Sequence, residues 1–60
     1  MLRNKQKLLK GMLVYYEDKL HIVTVEEEQG LVELARAKKD GRPYPKARRF
    51  STSPTYCKPY

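Results

Sequence analysis

The residues best suited to chemistry in this sequence form a crowded group of cations with aromatic rings among them. Seven basic side chains fall within residues 36–49, and a tyrosine and a phenylalanine accompany them. Cations neutralise phosphates and release counterions, and flat aromatic or guanidinium groups stack on exposed bases. An Asp-Gly turn at residues 40–41 would bring cations from both flanking segments together. The predicted nucleic-acid-binding residues are Arg36, Lys38, Lys39, Arg42, Tyr44, Lys46, Arg48, Arg49 and Phe50.

The same cations have two other interpretations. Lys and Arg along a sheet edge keep separate molecules from pairing edge to edge, and a basic surface also attracts acidic proteins. A membrane partner is not expected, because the sequence has no clear amphipathic helix and no stretch of about 20 apolar residues.

Enzyme chemistry has little support. His21 is the only histidine, and it lies inside a strand-like apolar run with no catalytic partner near it in sequence, which favours a packed sheet residue. Cys57 is most simply an incidental thiol or a small packing residue. The acidic run 26–28 fits a solvated turn rather than a metal site, and the glycines are too scattered for a phosphate-binding loop. We therefore expect a non-enzymatic protein with no cofactor.

The charges are unevenly distributed along the chain, and their sum is +6. Residues 1–11 contain four basic and no acidic side chains, residues 12–34 contain six acidic and one basic, and residues 35–60 contain eight basic and one acidic. Such asymmetry indicates a surface that faces a polyanion. The simpler interpretation is surface charge that serves solubility alone.

A chain of 60 residues forms one domain at most, with a thin core. With one cysteine and one histidine, neither an intrachain disulfide nor a four-ligand zinc site is available. Stability must then come from tight packing or from self-association, for instance as a homodimer. A lone thiol and no recognisable export signal predict a cytoplasmic location.

Three segments have the composition of β-strands, residues 12–16, 20–26 and 31–37. Turn-like residues separate them at 17–19 and 27–30, so the strands should pair as an antiparallel meander. The central strand must divide its side chains between two faces, Leu20, Ile22 and Thr24 on one and His21, Val23 and Val25 on the other. A helix over residues 26–39, rich in Glu, Leu, Ala and Lys, is the alternative to the third strand.

The remaining segments are less regular. Leu2 to Lys10 favours a short helix that ends at Gly11, or else a basic arm. Residues 46–50 fit a short fourth strand, residues 51–55 a loop, and residues 56–60 a last strand or a loose end. The predicted organisation is an N-terminal helix or arm (1–10), a β-meander or small barrel (11–50) and a C-terminal extension (51–60).

The order Gly11-Met12-Leu13-Val14, a polar turn, His21 to Val25, and then Gly30-Leu31-Val32-Glu33-Leu34 has a counterpart in known modules. It resembles the opening meander of Src-homology-3-like small β-barrels, the group that includes Tudor and KOW-type modules. The resemblance covers residues 11–35 and implies a mostly-β fold with an SH3-like barrel. In size and style the chain also resembles phage or prophage accessory proteins.

These patterns together predict a small basic binding protein. Its expected partner is nucleic acid, bound with low sequence specificity because nothing in the sequence is typical of a base-reading helix. The alternative is a protein-interaction module, such as a phage-type factor that binds a host protein, for which Pro43-Tyr44-Pro45 would present an extended surface.

Overall fold

The chain folds as an antiparallel sheet of five strands. The computed structural model describes residues 7–60. The strands are β1 (Leu13–Tyr16), β2 (Lys19–Glu28), β3 (Leu31–Arg36), β4 (Phe50–Thr52) and β5 (Cys57–Pro59), and a 3₁₀ turn at Pro54–Tyr56 precedes β5. Their order across the sheet is β4-β3-β2-β1-β5. This confirms the predicted mostly-β meander. Within residues 7–60, none of the helical structure is long and apolar enough to cross a membrane.

Two-residue turns connect the first three strands. Glu17 and Asp18, between β1 and β2, have φ angles of 53° and 65°. Gln29 and Gly30, between β2 and β3, have φ angles of 53° and 79°. Positive φ at both central residues defines a type I′ turn, whose twist matches that of the strands it joins. Both turns therefore set up the antiparallel pairing locally.

The third strand, and not the alternative helix over residues 26–39, follows the second turn. Because the chain reverses at Gly30, residues 31–36 return along β2, where Val23 lies opposite Leu34. The register shifts between Val23 and Val25 and again towards Glu28. Such irregularities are typical of β-bulges, which bend a strand and increase its twist.

The N-terminal helix or arm predicted for residues 1–10 lies largely outside the described residues. From residue 7 onward the prediction of a helix is wrong. The Met12 N–H donates to the Leu9 carbonyl across a turn (3.1 Å), and Gly11 has the positive φ, 94°, that a type II turn requires at its third residue. The Glu27 N–H donates to the Leu8 carbonyl (2.8 Å), so this segment is held along β2 instead of coiling on itself.

One face of the sheet forms the core. Its fully buried apolar side chains come from three adjacent strands: Val14, Val23, Val32 and Leu34. Each such burial stabilises the fold by about 1.5–3 kcal/mol. Partly buried side chains surround them: Leu8, Met12, Tyr16, Phe50 and Cys57. Val25, predicted on the same face as Val23, is 49% exposed, because the register shift after Val23 changes which side chains the bent strand turns inward.

The predicted fourth strand at residues 46–50 is displaced towards the C-terminus. Pro43 and Pro45 offer no backbone donor, and the Ala47 N–H closes a turn onto the Tyr44 carbonyl (3.1 Å). β4 consequently begins only at Phe50. Residues 51–60, expected as an extension, supply the rest of β4, the 3₁₀ turn and β5.

The sheet is open rather than closed as a barrel. β4 and β5 are its two outer strands, and no ladder joins them within residues 7–60. Ser53 turns the chain between the two strands, since its hydroxyl accepts the Thr55 N–H (3.2 Å) and its carbonyl accepts the Tyr56 N–H (3.1 Å). The barrel closure that the sequence suggested is not observed.

Candidate nucleic-acid interface

The predicted binding residues begin on a hairpin that continues from the end of β3. We call residues 36–44 the basic hairpin. The Lys38 N–H donates to the Arg42 carbonyl (2.7 Å), and the Tyr44 N–H donates to the Arg36 carbonyl (3.1 Å). The Gly41 N–H closes the turn onto the Lys38 carbonyl (2.9 Å). A type I turn followed by a glycine at positive φ, here 88°, is a common three-residue hairpin loop.

The hairpin separates its charged and apolar side chains. Ala37 and Pro43 face each other as a bridge, and Ala37 is buried. Because neighbouring side chains on a strand point to opposite sides, the residues next to this bridge share the other side. That outward side contains Arg36, Lys38, Arg42 and Tyr44, all exposed.

The tip of the hairpin lies back against the sheet. A Cβ built on Gly41 would be 3.2 Å from Leu13 Cδ1, although Leu13 belongs to β1, two strands away from β3. The Ala37 N–H also donates to the Leu20 carbonyl (2.9 Å). The basic hairpin is therefore fastened over the face of the sheet that lies opposite the core, with its cations turned to solvent.

Tyr44 is the aromatic centre of the outward side. Its ring is flanked by two cations, with Arg36 Cζ 5.7 Å and Lys38 Nζ 6.0 Å from the ring centroid. These distances allow cation–π attraction. The residue remains 44% exposed, so a ring surface is available to a ligand.

A shallow cleft opens beside this ring. It has a volume of about 520 Å³ and is lined by Arg36, Tyr44, Pro45, Lys46 and Ala47. The ring, the proline and the alanine provide an apolar surface, and the two cations lie at its margin. This combination suits a flat, uncharged group attached to an anion.

The cations differ in how far acidic neighbours neutralise them. Arg42 Nε lies 3.9 Å from Asp40 Oδ2, and Arg49 Nε lies 3.9 Å from Glu33 Oε2. The first pair is exposed and the second is partly exposed through Arg49, and such pairs are worth at most about 1 kcal/mol. Within residues 7–60, no carboxylate comes within ion-pairing distance of the other five predicted cations: Arg36, Lys38, Lys39, Lys46 and Arg48.

Phe50 turns inward, whereas the other predicted site residues are exposed. It is half-buried, and its ring centroid lies 5.2 Å from that of Tyr16 and 5.6 Å from that of His21. The ring therefore packs against the core, with its edge-to-face contact on His21. Tyr44 remains as the exposed aromatic among the predicted residues.

His21 is buried, at 6% exposure. Its Nδ1 lies 2.8 Å from the Lys19 carbonyl oxygen. A carbonyl only accepts hydrogen bonds, so Nδ1 donates the proton. The imidazole is thus held between this carbonyl and the rings of Tyr16 and Phe50, as expected for a histidine packed in a sheet.

Cys57 is half-buried at the start of β5. Burial raises the pKa of the thiol above its ordinary value of 9.0, and the negative charge of Glu27 adds to the rise. A raised pKa lowers the thiolate fraction and therefore the reactivity of the sulfur. Within the described residues, no three His, Cys, Asp or Glu side chains cluster as metal ligands.

Charge is segregated between the two ends of the sheet. The seven predicted cations gather where β3 ends, together with Asp40 and the turn acids Glu17 and Asp18. The acidic residues 26–28 occupy the opposite end of β2, where Lys7 Nζ lies 3.2 Å from Glu26 Oε2. The candidate interface therefore lies at the cationic end of the molecule.

Sequence reasoning missed two contributors to the surface. Pro45 and Ala47 belong to the lining of the cleft, and the alternation of Pro, Tyr and Pro was the available signal. The other is an exposed aromatic pair, Tyr15 with Tyr60, whose ring centroids lie 5.9 Å apart. β5 places Tyr60 there by pairing with β1, a contact across more than 40 residues of chain that no local pattern reveals.

Comparison with protein-family models, with curated proteins and with solved structures matches this chain to none of them. A fold by itself would not determine the function in any case, because small β architectures host many unrelated functions.

Proposed function

We propose that this protein is a small, non-enzymatic binding protein whose ligand is nucleic acid. The observation that carries the proposal is the placement of Arg36 and Lys38 beside the exposed ring of Tyr44, on the outward side of the basic hairpin. Cations at such a surface attract phosphates, and an exposed ring offers stacking to bases.

Binding should have low sequence specificity. Lys and Arg contacts to phosphates position a protein on nucleic acid without reading its sequence. The hairpin tip is held against Leu13, so it is poorly placed to penetrate a groove and contact base edges. Affinity should then depend mainly on the number of phosphates contacted.

The resemblance to Src-homology-3-like modules remains part of this proposal. The antiparallel pairing of β1, β2 and β3, which span most of the residues that the resemblance covers, supports it. The bend in β2 at its register shifts is also the kind of feature that lets a small sheet curl towards closure.

Fluorescence anisotropy with labelled oligonucleotides tests the proposed function. For about five phosphate contacts on a single strand, affinity should fall roughly 100-fold between about 50 and about 200 mM salt. The double variant Arg48→Ala/Arg49→Ala should bind more weakly and with a shallower salt dependence.

Lys58→Ala is the control for charge and is compared with the single variant Arg48→Ala, because each removes one cation and Lys58 is exposed on β5 at the other edge of the sheet. It should change binding much less than Arg48→Ala does. Absence of any salt-dependent complex with single- or double-stranded oligonucleotides in dilute buffer would refute the proposed function.

A protein-interaction module is the second candidate. The observation in its favour is the exposed pair of Tyr15 and Tyr60, since aromatic side chains are enriched where proteins meet. A pull-down from nuclease-treated lysate distinguishes it from the first candidate. A partner recovered in stoichiometric yield, and lost with Tyr15→Ala, would favour this function over nucleic-acid binding.

A further inference from the structure

We infer that the basic hairpin selects single-stranded nucleic acid by receiving one unpaired base in the cleft beside Tyr44. This inference rests on the proposed function and specifies its ligand. The occupant would stack on the tyrosine ring while its neighbouring phosphates contact the cations around the cleft.

The shape and lining of the cleft suit one nucleotide. Tyr44, Pro45 and Ala47 contribute apolar groups to its lining, and Arg36 and Lys46 contribute two cations. A nucleotide has the same division, with a flat base attached to an anionic backbone. Stacking of one base on an aromatic side chain is worth about 1–3 kcal/mol.

The position of the Tyr44 ring is set by its neighbours on the basic hairpin. Arg36 and Lys38 lie within cation–π distance of the ring, and the Tyr44 backbone is bound to Arg36 across the hairpin. The ring is therefore held in place before a ligand arrives. A side chain that is already ordered loses less entropy on binding.

The attachment of the hairpin to the sheet favours binding of single strands over binding of duplexes. In a duplex the bases present only their edges in the grooves, and a free β-ribbon can enter the major groove to reach them. Here Ala37 is 4% exposed and Gly41 lies against Leu13, so one side of the ribbon is covered by the sheet. The hairpin offers a platform to a base that is already unpaired.

The test uses three labelled DNA probes of the same length, about 12 nucleotides, in fluorescence anisotropy with the full chain. One is single-stranded, one is the same strand annealed to its complement, and one is a single strand whose nucleotides are abasic. The abasic strand retains the phosphates and lacks the bases. The unmodified single strand should bind roughly tenfold more tightly than either of the others.

Variants then test whether Tyr44 causes the higher affinity for the unmodified single strand. Tyr44→Ala should lose roughly tenfold in affinity for the unmodified single strand and almost nothing for the abasic strand. Tyr56→Ala is the matched control, because Tyr56 is 65% exposed in the 3₁₀ turn, away from the cleft. It should leave the affinity for all three probes unchanged. Circular dichroism checks that both variants retain the β-sheet.

The outcomes separate the inference from the proposed function. If the wild-type chain binds none of the probes, nucleic-acid binding itself is refuted. If it binds the duplex or the abasic strand as tightly as the unmodified strand, only the inference is overturned. Equal losses on the unmodified and abasic strands with Tyr44→Ala would overturn it too, because the ring would then act without a base.

Discussion

Gly41 lies beside Leu13 of β1, two strands away from β3, with no room between them for an added side chain. The hairpin tip reaches β1 because Gly41 has a φ of 88° and has no side chain where Leu13 Cδ1 approaches, 3.2 Å from the position a Cβ would take. This contact fixes the orientation of the basic hairpin relative to the sheet, and with it the outward direction of the cations.

Replacement of this glycine should destabilise the protein. Gly41→Ala places a side chain in a left-handed conformation that costs about 1–2 kcal/mol, and its methyl group also presses on Leu13. We expect a lower midpoint in urea denaturation, followed by circular dichroism. Gly11→Ala is the control, because Gly11 has a similar φ of 94° with nothing within 4 Å of its Cβ position. An equal loss in both variants would show that the contact with Leu13 is unimportant.

Leu34 should be among the most sensitive positions of the core. It is fully buried, and Leu→Ala at such sites costs about 2–5 kcal/mol. That is a large part of the stability of a domain of this size, about 3–9 kcal/mol, so Leu34→Ala should lower the thermal unfolding midpoint sharply or abolish folding. Leu31→Ala on the same strand, where the leucine is 54% exposed, should change the unfolding free energy by less than about 0.5 kcal/mol.

Removal of the Glu33 charge should strengthen binding to polyanions. Glu33 Oε2 lies 3.9 Å from Arg49 Nε and accepts a hydrogen bond from the Thr24 hydroxyl (2.6 Å). Glu33→Gln releases the arginine and should tighten nucleic-acid binding roughly two- to fivefold, the worth of an exposed pair. Glu28→Gln is the control, because it removes the same charge at the acidic end of β2, away from the basic hairpin. An equal gain from Glu28→Gln in anisotropy titrations would mean that net charge, and not the freed arginine, is responsible.

The thiol of Cys57 should react slowly. Since burial and then Glu27 raise its pKa above 9.0, alkylation by iodoacetamide should be slower than that of an unstructured cysteine peptide at about pH 8. Glu27→Gln should accelerate it. As pH rises, the thiol of the unfolded chain loses its proton before the thiol of the folded chain does. The contribution of this group to the free energy of unfolding is therefore present below pH 9.0 and is lost above it. Intact-mass spectrometry over time measures the reaction, and a rate equal to the peptide's would contradict the prediction.

The first three strands could be predicted because their information is local. Residues 12–16, 20–26 and 31–37 have strand-like composition. Gly30 favours a turn between two of them, because a glycine in the middle of a helix is destabilising. The Asp-Gly turn of the basic hairpin could be predicted for the same reason, because its signal is also local. The place of β5 beside β1 could not be predicted from local sequence, because it depends on pairs such as Tyr16 with Cys57, which are distant in sequence.

The candidate site was predictable in composition and less so in geometry. The cations are exposed, as their charge requires. The sequence gives no sign that Phe50 turns inward while Tyr44 turns outward. The difference arises because β4 begins at Phe50, which pairs with the buried Leu34 of β3. The strand does not begin earlier because Pro43 and Pro45 lack a backbone donor.

Among residues 7–60, the cations near the end of β3 and the carboxylates of residues 26–28 form a charge dipole along β2, which Lys7 beside Glu26 offsets in part. From His21 to Glu28 the strand rises about 20 Å, with cations gathered at one end and the acidic residues 26–28 at the other. In the field of a polyanion such a dipole experiences a torque that turns its positive end forward. Encounters with a polyanion are therefore biased so that the basic hairpin arrives first and the acidic end trails, and salt should weaken this steering over the Debye length.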